Sequence, residues 1–491
     1  MLSRREFLVS SLAALAGSRF AAGQDKNAGT YVNDIHSQLN RTRIREVLSP
    51  TSVAEVQRLV RQARRDKVPV SIAGGRHAMG GQQFGTDTRL LDMRGLRKML
   101  DFDAQRKVAT FEAGAEWPEV ISNYLQAQKG KSDQLGITQK QTGADRISLG
   151  GTIACNAHGR GLKLRPFVSD VESLELVNAE GESVRCSRTE NADLFRLVNG
   201  GYGLFGVVTS VAVRLQPRRR IQRVVEVRRV NGLMDAFQSR INAGFLYGDF
   251  QFAIDPKAEN FLSEGVFSCY KPVEDQSTSD EPPPKELSDE SWRTLLQLAH
   301  SDKSKAFDAY AKYYLSTNGQ LYWSDTHQLS IYPDNYHREI DRRGRAKYPG
   351  TEIITEIDVP RDRLEDFLAE AREDFRKNDV NLIYGTVRLI EEDKESFLPW
   401  AKQAYACTIF NLHTEHSPAG IKHSADAFRR LIDMAIKRNG TYYLTYHKYA
   451  RRKQVEECYP QFAEFLKLKK KYHPPEVFQS DWYRFYRRMF A

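Results

Sequence analysis

The chain has 491 residues, of which 41% are hydrophobic and 28% are charged, and it carries a formal net charge of +10. This composition is that of a globular chain and excludes a disordered or fibrous protein, and the length predicts two or three domains. The apolar runs beyond the first two dozen residues are too short to span a bilayer. We therefore expect no stable membrane span. The basic residues form scattered clusters without a nucleic-acid-binding motif, so we also expect no nucleic-acid partner.

The chain begins with two arginines ahead of a modest apolar stretch. Arg4 and Arg5 precede the apolar residues 8–16, and small residues at positions 21–23 offer a cleavage zone. The pattern resembles a twin-arginine export signal, with an ordinary secretory signal or a short basic helix as the alternatives. We therefore expect residues 1–23 to be a twin-arginine signal peptide and the mature protein to be periplasmic or extracellular.

A predicted helix and strand lead into a glycine-rich loop. Ser52 and Glu55 have the spacing of a capping box, and apolar residues follow at helical spacing as far as Ala63. After the apolar run 68–72, the loop reads AGGRHAMGGQ over residues 73–82. Dense glycines bring backbone N–H groups close to a ligand and form an anion site suited to a pyrophosphate. The loop matches neither standard nucleotide motif, so a plain turn with a surface histidine is the alternative.

Two further tracts of small residues follow along the chain. The second reads ISLGGTIACNAHGRG over residues 147–161, and the third reads NGGYGLFGVVTS over residues 199–210. Taken together and in this order, the three tracts resemble the pyrophosphate loop, the flavin-side loop and the closing segment of the vanillyl-alcohol oxidase/p-cresol methylhydroxylase (PCMH) family of FAD enzymes. The resemblance implies a PCMH-type FAD-binding domain over residues 40–217.

The same resemblance implies that FAD is the cofactor and that all three tracts contact it. His77 stands where some family members bond a histidine covalently to the 8α-methyl carbon of the flavin, a reaction that needs a neutral imidazole nitrogen. We therefore expect covalent attachment through His77, with a histidine that only contacts the ring as the alternative. The expected cofactor-binding residues are Gly74, Gly75, Arg76, His77, Ala78, Met79, Gln82, Thr142, Ser148, Gly151, Thr152, Asn156, Gly159, Gly161, Gly206, Val207 and Val208.

The chain changes character after Pro217. Aromatic residues become dense, and alternating patterns such as those at residues 352–358 and 381–390 predict strands of a large antiparallel sheet. A single helix is expected from residue 291 to about residue 315. These elements predict a second structural unit that is built differently from the first.

The resemblance assigns a role to each part of the chain beyond the first unit. Residues 218–451 would form a substrate-binding cap domain, and residues 452–491 would form a C-terminal tail that returns to the FAD domain. The segment 473–480 of this tail resembles the family's C-terminal ending. The expected fold class is therefore α+β, a two-domain flavoprotein with an FAD-binding domain and an antiparallel-sheet cap.

Three segments of the expected cap resemble strands of the alditol and aldonolactone oxidases of the same family. They read TVR, FNLHT and YHKY and contain Arg388, His413 and His447; a glutamate and a tryptophan of those enzymes are missing. The resemblance implies catalytic roles for these three residues in one cavity, with His447 as the base, and sheet packing is the alternative for both histidines. His416 and His423 lack a matching ligand set, so no metal site is expected.

Together these features predict an exported FAD-dependent oxidoreductase, either an oxidase or a dehydrogenase. We expect it to oxidise a CH–OH group of a small-molecule substrate (a sugar, sugar lactone or polyol) by hydride transfer to flavin N5. Oxygen, a quinone or a cytochrome would then accept the electrons. The alternatives are oxidation of a C–N bond, because the loop at residues 73–82 also resembles that of cytokinin dehydrogenases, and a non-catalytic FAD-binding electron-transfer protein.

Overall fold

The structure is a computed structural model that describes residues 29–274, 285–472 and 476–491. The expected signal peptide at residues 1–23 and the first three residues of the tail motif, 473–475, lie outside these ranges. Helices are mixed with mainly antiparallel sheets, as the sequence predicts. Within the described ranges, no helix is both long and apolar enough to cross a membrane.

A three-stranded parallel sheet carries the first glycine-rich loop. Helix α1 connects its first two strands in the chain, and the Ser52 hydroxyl caps this helix by accepting a hydrogen bond from the Glu55 N–H. The buried residues of α1 follow the predicted helical spacing. The sheet has the order β3-β5-β4 and lies beside a two-stranded sheet, β1-β2. The bounds are β1 (Thr30–Val32), β2 (Thr42–Ile44), β3 (Glu46–Leu48), α1 (Val53–Asp66), β4 (Val70–Ala73) and β5 (Arg89–Asp92).

A second, antiparallel sheet carries the other two small-residue tracts. Its strand order is β10-β9-β11-β7-β6, and β8 pairs with β11. The second tract forms the short helix α3, and the third leads into β11. The bounds are β6 (Met99–Asp103), β7 (Val108–Glu112), α2 (Trp117–Ala127), β8 (Leu135–Ile137), α3 (Leu149–Cys155), β9 (Val171–Val177), β10 (Ser183–Ser187), α4 (Ala192–Val198) and β11 (Val207–Pro217).

A large eight-stranded sheet occupies the chain after residue 217. Its order is β15-β12-β14-β13-β17-β18-β16-β19, and every pair is antiparallel. Alternate side chains point to opposite faces of such a sheet. The bounds are β12 (Arg220–Arg229), β13 (Tyr247–Phe252), β14 (Glu264–Pro272), β15 (Leu321–Trp323), β16 (Gly350–Pro360), β17 (Leu382–Ile390), β18 (Tyr405–Glu415) and β19 (Thr441–Tyr442).

The helices of this half cover the large sheet and extend into the tail. The single helix expected over residues 291–315 is two helices, because Asp302 leaves helical geometry and its carboxylate caps the second one by accepting from the Lys305 N–H. Helix α10 packs against β16 and β18. The bounds are α5 (Leu233–Asn242), α6 (Asp289–Ser301), α7 (Lys303–Leu315), α8 (Tyr336–Gly344), α9 (Leu364–Lys377), α10 (Pro418–Ile436), α11 (Arg452–Cys458), α12 (Phe462–Tyr472) and α13 (Asp481–Met489).

The C-terminal segment lies beside the parallel sheet. The Val70 N–H donates to the carbonyl of Val477 at 2.6 Å, and the Gln479 N–H donates to the carbonyl of Val70 at 2.8 Å. Phe478 therefore forms a parallel bridge with Val70 of β4. The carboxylate of Asp481 then accepts from the N–H of Thr86 at 2.9 Å. The end of the chain thus supports the strand from which the first glycine-rich loop emerges.

One hydrophobic cluster extends through both halves of the chain. It includes Phe111 of the second sheet, Phe410 of the large sheet and Trp482 of the C-terminal helix, all fully buried. Pro217 ends β11 and Arg220 begins β12, so the chain passes from the second sheet to the large sheet at this point. The hydrophobic cluster contains residues from both sheets, so apolar packing holds the second sheet and the large sheet together.

Candidate functional site

A cleft runs between the small-residue tracts and the large sheet. We call it the FAD cleft and define it by the residues that line it. Residues 73–79, the tracts around residues 147–151 and 201–206, and Ile354 of β16 contribute to it, as does the segment 443–446. A long groove built from glycine-rich loops on one side and a sheet on the other suits an extended dinucleotide.

Close backbone packing explains two glycines of the first loop. A Cβ atom on Gly74 would lie 2.0 Å from the Ser148 hydroxyl oxygen, and one on Gly75 would lie 1.9 Å from the carbonyl oxygen of Arg146. Real Cβ atoms do not approach other atoms so closely, and glycine alone fits at both positions. The first and second tracts therefore pack against each other and form one end of the FAD cleft.

The FAD cleft contains most of the residues that the sequence predicted to bind the cofactor. The structure also adds lining residues from outside the three tracts, chiefly His36, Gln141, Ile354 and Tyr446. These come from loops and from the large sheet, and no glycine-rich pattern marks them. The predicted residues that line the cleft are Gly74, Gly75, Arg76, His77, Ala78, Met79, Gln82, Ser148, Gly151, Gly206 and Val208.

Six other predicted cofactor-binding residues do not line the FAD cleft. Thr142 lies between two lining residues, and Val207 is packed in the apolar cluster beneath α1. Thr152 accepts a hydrogen bond from the indole of Trp117 at 3.3 Å. Asn156 ends α3 and donates to Asp393 at 2.8 Å. These four residues shape the walls of the cleft.

The remaining two are glycines that the chain needs for packing. A Cβ on Gly159 would lie 2.7 Å from the carbonyl oxygen of Lys140. Gly161 forms a backbone bridge with Tyr247 of β13. The small-residue pattern therefore marks close backbone approaches as well as cleft positions, and the sequence alone does not separate these two causes.

His77 and His36 form a buried imidazole pair at the edge of the FAD cleft. Nε2 of His36 lies 2.8 Å from Nδ1 of His77, so one of these nitrogens donates to the other. Burial lowers the pKa of His36 to about 4 and holds the pKa of His77 well below its ordinary value. Nε2 of His77 is buried without a hydrogen-bond partner among the described residues. Both rings are therefore neutral near pH 7, and His77 keeps one nitrogen uncommitted.

Polar side chains are concentrated on the face of the large sheet that meets the FAD cleft. Ile354 lines the cleft, and Glu356 and Asp358 follow it on the same face of β16. Carboxylate oxygens of Glu356 and Asp358 and the sulfur of Cys407 lie within 4.8 Å of one another. Nε2 of His158 lies 2.7 Å from Oε1 of Glu356. We call Glu356 and Asp358 the acid pair.

The surroundings of the acid pair favour a proton on Asp358. Burial and the negative charge of Glu356 raise the pKa of Asp358 well above its ordinary value. Two buried carboxylates this close oppose each other's ionisation, because the second charge is opposed by the first and by desolvation. The neutral form of Asp358 is therefore favoured at one end of the cleft-facing surface.

Several polar atoms near the acid pair have no partner. The strand register places Arg388 and Thr386 of β17 and Asn411 of β18 on the same face as Glu356. Nε of Arg388, Oγ1 of Thr386, Oδ1 of Asn411 and Oε2 of Glu356 are all buried and unpaired among the described residues. Buried polar atoms are rarely left without a partner, so these four atoms suit contacts with water or with a polar ligand.

The structure does not bring Arg388, His413 and His447 into one cavity. His413 lies on the cleft-facing side of β18, six residues beyond Cys407, which is the register partner of Arg388. Six residues of a strand span roughly 20 Å. His413 instead contacts Oε1 of Glu352, at 3.3 Å. The expectation of a shared cavity is therefore wrong for His413, because strand length separates it from Arg388.

His447 lies on the opposite side of the large sheet. Its Nε2 is 3.0 Å from Oγ1 of Thr355, whose side chain points away from that of Glu356 because neighbours along a strand alternate. Its ring stacks on Phe428 of α10 with centroids 4.5 Å apart. His447 follows β19 in a turn, not on a strand, and Tyr446 beside it lines the FAD cleft. The expected position of His447 as a base near Arg388 is therefore also wrong.

The comparisons with known proteins agree with this geometry. Residues 44–187 match the family described as FAD binding domain. An uncharacterized oxidoreductase of a fasciation locus in Rhodococcoides fascians is 29% identical over 44% of this chain and 48% of its own length. L-gulonolactone oxidase of Mus musculus is 27% identical over 43% of this chain and 46% of its own. Cytokinin dehydrogenase 3 of Oryza sativa subsp. japonica is 31% identical over 30% of this chain and 28% of its own length.

The fold, the FAD cleft and these matches define a protein that binds FAD. Residues 44–187 match an FAD-binding domain, and the chain is similar to oxidoreductases, in agreement with the resemblance that the sequence predicted from its three small-residue tracts. The chain spans about half, or less, of the length of the curated relatives cited above. The match over residues 44–187 therefore supports FAD as the cofactor.

Proposed function

We propose that this protein oxidises a CH–OH group of a sugar, sugar lactone or polyol, with FAD bound in the cleft as hydride acceptor. The supporting observation is the cluster of unpaired buried polar atoms on the face of the large sheet that meets the FAD cleft, at Glu356, Thr386, Arg388 and Asn411. A guanidinium, an amide, a hydroxyl and a carboxylate together offer donors and acceptors that suit a polyhydroxylated molecule. FAD would supply the redox chemistry by accepting a hydride at N5.

Glu356 is the proposed acceptor of the substrate's hydroxyl proton. Its Oε2 is unpaired, its Oε1 is 2.7 Å from His158, and its pairing with a neutral Asp358 favours one ionised carboxylate. General bases of this kind contribute on the order of a hundredfold or more in rate. Arg388 is the proposed electrostatic partner, since its fixed positive charge stabilises negative charge that develops on the substrate oxygen.

We also propose that the flavin is attached covalently through His77. The ring is neutral, one nitrogen is engaged by His36, and the other is buried and unpaired. A neutral imidazole with a free nitrogen suits this link. An N–C bond would form at the flavin 8α-methyl carbon as the carbon and the imidazole each lose a proton, and the two electrons left on the flavin would pass to its electron acceptor. Acid precipitation of the purified, yellow protein is expected to leave the flavin in the pellet. Complete release of flavin into the supernatant would contradict the covalent link and leave FAD binding intact as a conclusion.

The reaction is tested by a substrate panel under anaerobic conditions. Sugars, sugar lactones, polyols and N-alkylated amines are mixed with the purified protein, and bleaching of the flavin is followed. Bleaching by one of the first three classes supports the proposal. Bleaching by amines alone would favour C–N oxidation, and no bleaching by any class would favour a non-catalytic electron-transfer protein. Adding oxygen, a quinone or cytochrome c to the reduced protein then identifies the electron acceptor.

Oxidation of a C–N bond is the second candidate because of two observations. Cytokinin dehydrogenases are among the relatives of this chain, and the acid pair offers buried carboxylate oxygens for an amine N–H. The polyhydroxylated substrate is preferred because Arg388 lies on the same face, and its positive charge opposes the binding of a cationic amine.

We further propose export by the twin-arginine route. The proposal rests on Arg4 and Arg5 ahead of the apolar residues 8–16. In a host that possesses this pathway, the full-length protein is expected in the periplasmic or extracellular fraction. The double substitution Arg4→Lys with Arg5→Lys is expected to keep it in the cytoplasm. Equal export of both proteins would contradict the twin-arginine route.

A further inference from the structure

Two histidines and a glutamate meet at the end of the large sheet that lies away from Arg388. His300 is in the last turn of α6, Glu352 lies on β16, and His413 lies on β18. Nε2 of His300 is 2.8 Å, and Nδ1 of His413 is 3.3 Å, from the same carboxylate oxygen, Oε1 of Glu352. One ligating atom from each residue lies within 4.8 Å of the other two. The three side chains therefore converge on one point.

The hydrogen bonds of His300 fix which of its nitrogens carries hydrogen. Nδ1 lies 2.8 Å from the carbonyl oxygen of Leu296, which can only accept, so Nδ1 is the donor in this contact. Nε2 then faces Oε1 of Glu352 at 2.8 Å. A proton or a metal ion between these two atoms satisfies the contact.

The surroundings match those of a metal ligand set. Histidines that bind metals usually donate their other ring N–H to a backbone carbonyl or carboxylate, as His300 does to Leu296. The hydroxyl of Tyr336 bonds to Oε2 of Glu352, which leaves Oε1 to face the two imidazoles. The side chain of His413 is 23% exposed, so an ion can reach the site from solvent.

We propose that His300, Glu352 and His413 bind one divalent first-row transition-metal ion of the zinc type. Two imidazole nitrogens and one carboxylate oxygen, with a water as fourth ligand, are a set that Zn²⁺ accepts in tetrahedral geometry. Bonds of about 2.0–2.2 Å to each ligand place the ligand atoms roughly 3.3 Å apart. The observed separations of 2.8 and 3.3 Å need only small adjustments to reach this arrangement.

The bound ion would connect three parts of the fold. Helix α6 follows residues 275–284, which lie outside the described ranges, and its contacts with the large sheet include the His300–Glu352 pair. A metal at this point fixes α6 to β16 and β18, and binding to the folded protein alone raises its stability. Sequence analysis predicted no metal site because the ligands are 52 and 61 residues apart and form no short motif.

The test uses the full-length flavoprotein after treatment with a chelator and gel filtration. Titration with Zn²⁺ in a calorimeter is expected to show one saturable site per chain, and Zn²⁺ is expected to raise the melting temperature. Co²⁺ provides a spectroscopic check, read as a visible difference spectrum against the same flavoprotein without Co²⁺. His300→Ala and Glu352→Gln are expected to weaken Zn²⁺ binding at least about a hundredfold, since even outer-shell losses cost 10–100-fold.

Matched controls separate this proposal from the proposed oxidation. His423→Ala removes an exposed histidine of α10 and is expected to leave Zn²⁺ binding unchanged. Glu352→Gln keeps the shape of the side chain, and the flavin content of each variant reports whether it has folded. Absence of saturable Zn²⁺ binding by the wild type, or binding of equal strength by His300→Ala and Glu352→Gln, would overturn the metal site. Neither result bears on substrate oxidation, which the anaerobic panel measures independently.

Discussion

The Oγ1 atom of Thr355 lies 3.0 Å from Nε2 of His447, and this contact places His447 behind the large sheet. The next residue along β16, Glu356, points to the opposite face, toward the FAD cleft. His447 is 2% exposed and stacks on Phe428. The chain therefore uses His447 to hold α10 against the sheet.

The position of His447 leads to a pH-dependent contribution to stability. Its pKa is about 3 in the folded protein because burial disfavours the charged ring, whereas an unfolded histidine has a pKa near 6.5. The unfolded state thus binds more protons, and stability present above about pH 6.5 is lost as the pH falls toward 3. His447→Phe keeps the stacking and removes this titration, so its melting temperature is expected to fall less between pH 7 and pH 5. At pH 5 this titration is expected to cost the wild type about 2 kcal/mol of unfolding free energy that His447→Phe does not lose. Equal losses of stability in both proteins would contradict the prediction.

Substitutions on the two faces of β16 are expected to differ in their effect on catalysis. Glu356→Gln removes the proposed proton acceptor and is expected to slow anaerobic flavin reduction about a hundredfold, with unchanged FAD content. Arg388→Lys keeps a charge but loses the planar donor group, and a similar loss is expected. His447→Phe serves as the control behind the sheet and is expected to reduce flavin at close to the wild-type rate. Near-normal reduction in Glu356→Gln would remove Glu356 from the mechanism.

His36 is expected to influence covalent attachment without being attached itself. Its Nε2 engages Nδ1 of His77 at 2.8 Å and fixes the orientation of that ring. In His36→Phe, the covalently bound fraction is expected to fall severalfold while non-covalent FAD remains bound, and His77→Ala is expected to abolish the covalent fraction. Acid precipitation followed by in-gel flavin fluorescence measures both. Full covalent loading of the His36→Phe protein would show that His77 does not need its contact with His36 for attachment of the flavin. His423→Phe is the control, because it removes an exposed histidine.

Gly75 is expected to tolerate no side chain, because a Cβ there would lie 1.9 Å from the carbonyl oxygen of Arg146. Gly75→Ala forces the first and second tracts apart, and overpacking of this kind typically costs about 1–3 kcal/mol. FAD affinity is therefore expected to fall about tenfold or more. Gly344→Ala is the matched control, since a Cβ on Gly344 meets nothing within 4 Å. Equal FAD content and affinity in the two variants would show that the loop adjusts.

The glycine-rich side of the FAD cleft could be predicted from sequence, whereas the side formed by the large sheet could not. Gly74, His77 and Ser148 belong to short segments whose backbone conformation depends on neighbouring residues in the sequence. The structure places all three along the cleft. Ile354 and Tyr446 reach the sheet side of the cleft through strand alternation and a bend after a turn. Their surroundings depend on the register of strands far apart in the chain, and a shift of one residue reverses every side chain. His447 shows this limit. It directly follows Tyr446, which lines the cleft, yet its own side chain contacts Thr355 on the opposite face of the large sheet.

The parallel bridge between Val70 and Phe478 constrains the order in which parts of the chain can fold during synthesis. Strand β4 is synthesised about 400 residues before the segment at residues 477–479 that forms one of its two neighbours. Until those residues leave the ribosome, β4 presents an unpaired edge, the kind of surface that recruits other unfinished chains. A nascent chain that stops short of residue 477 therefore lacks the support for the loop that contains His77. The backbone around the loop that contains His77 therefore depends on a segment about 400 residues further along the chain.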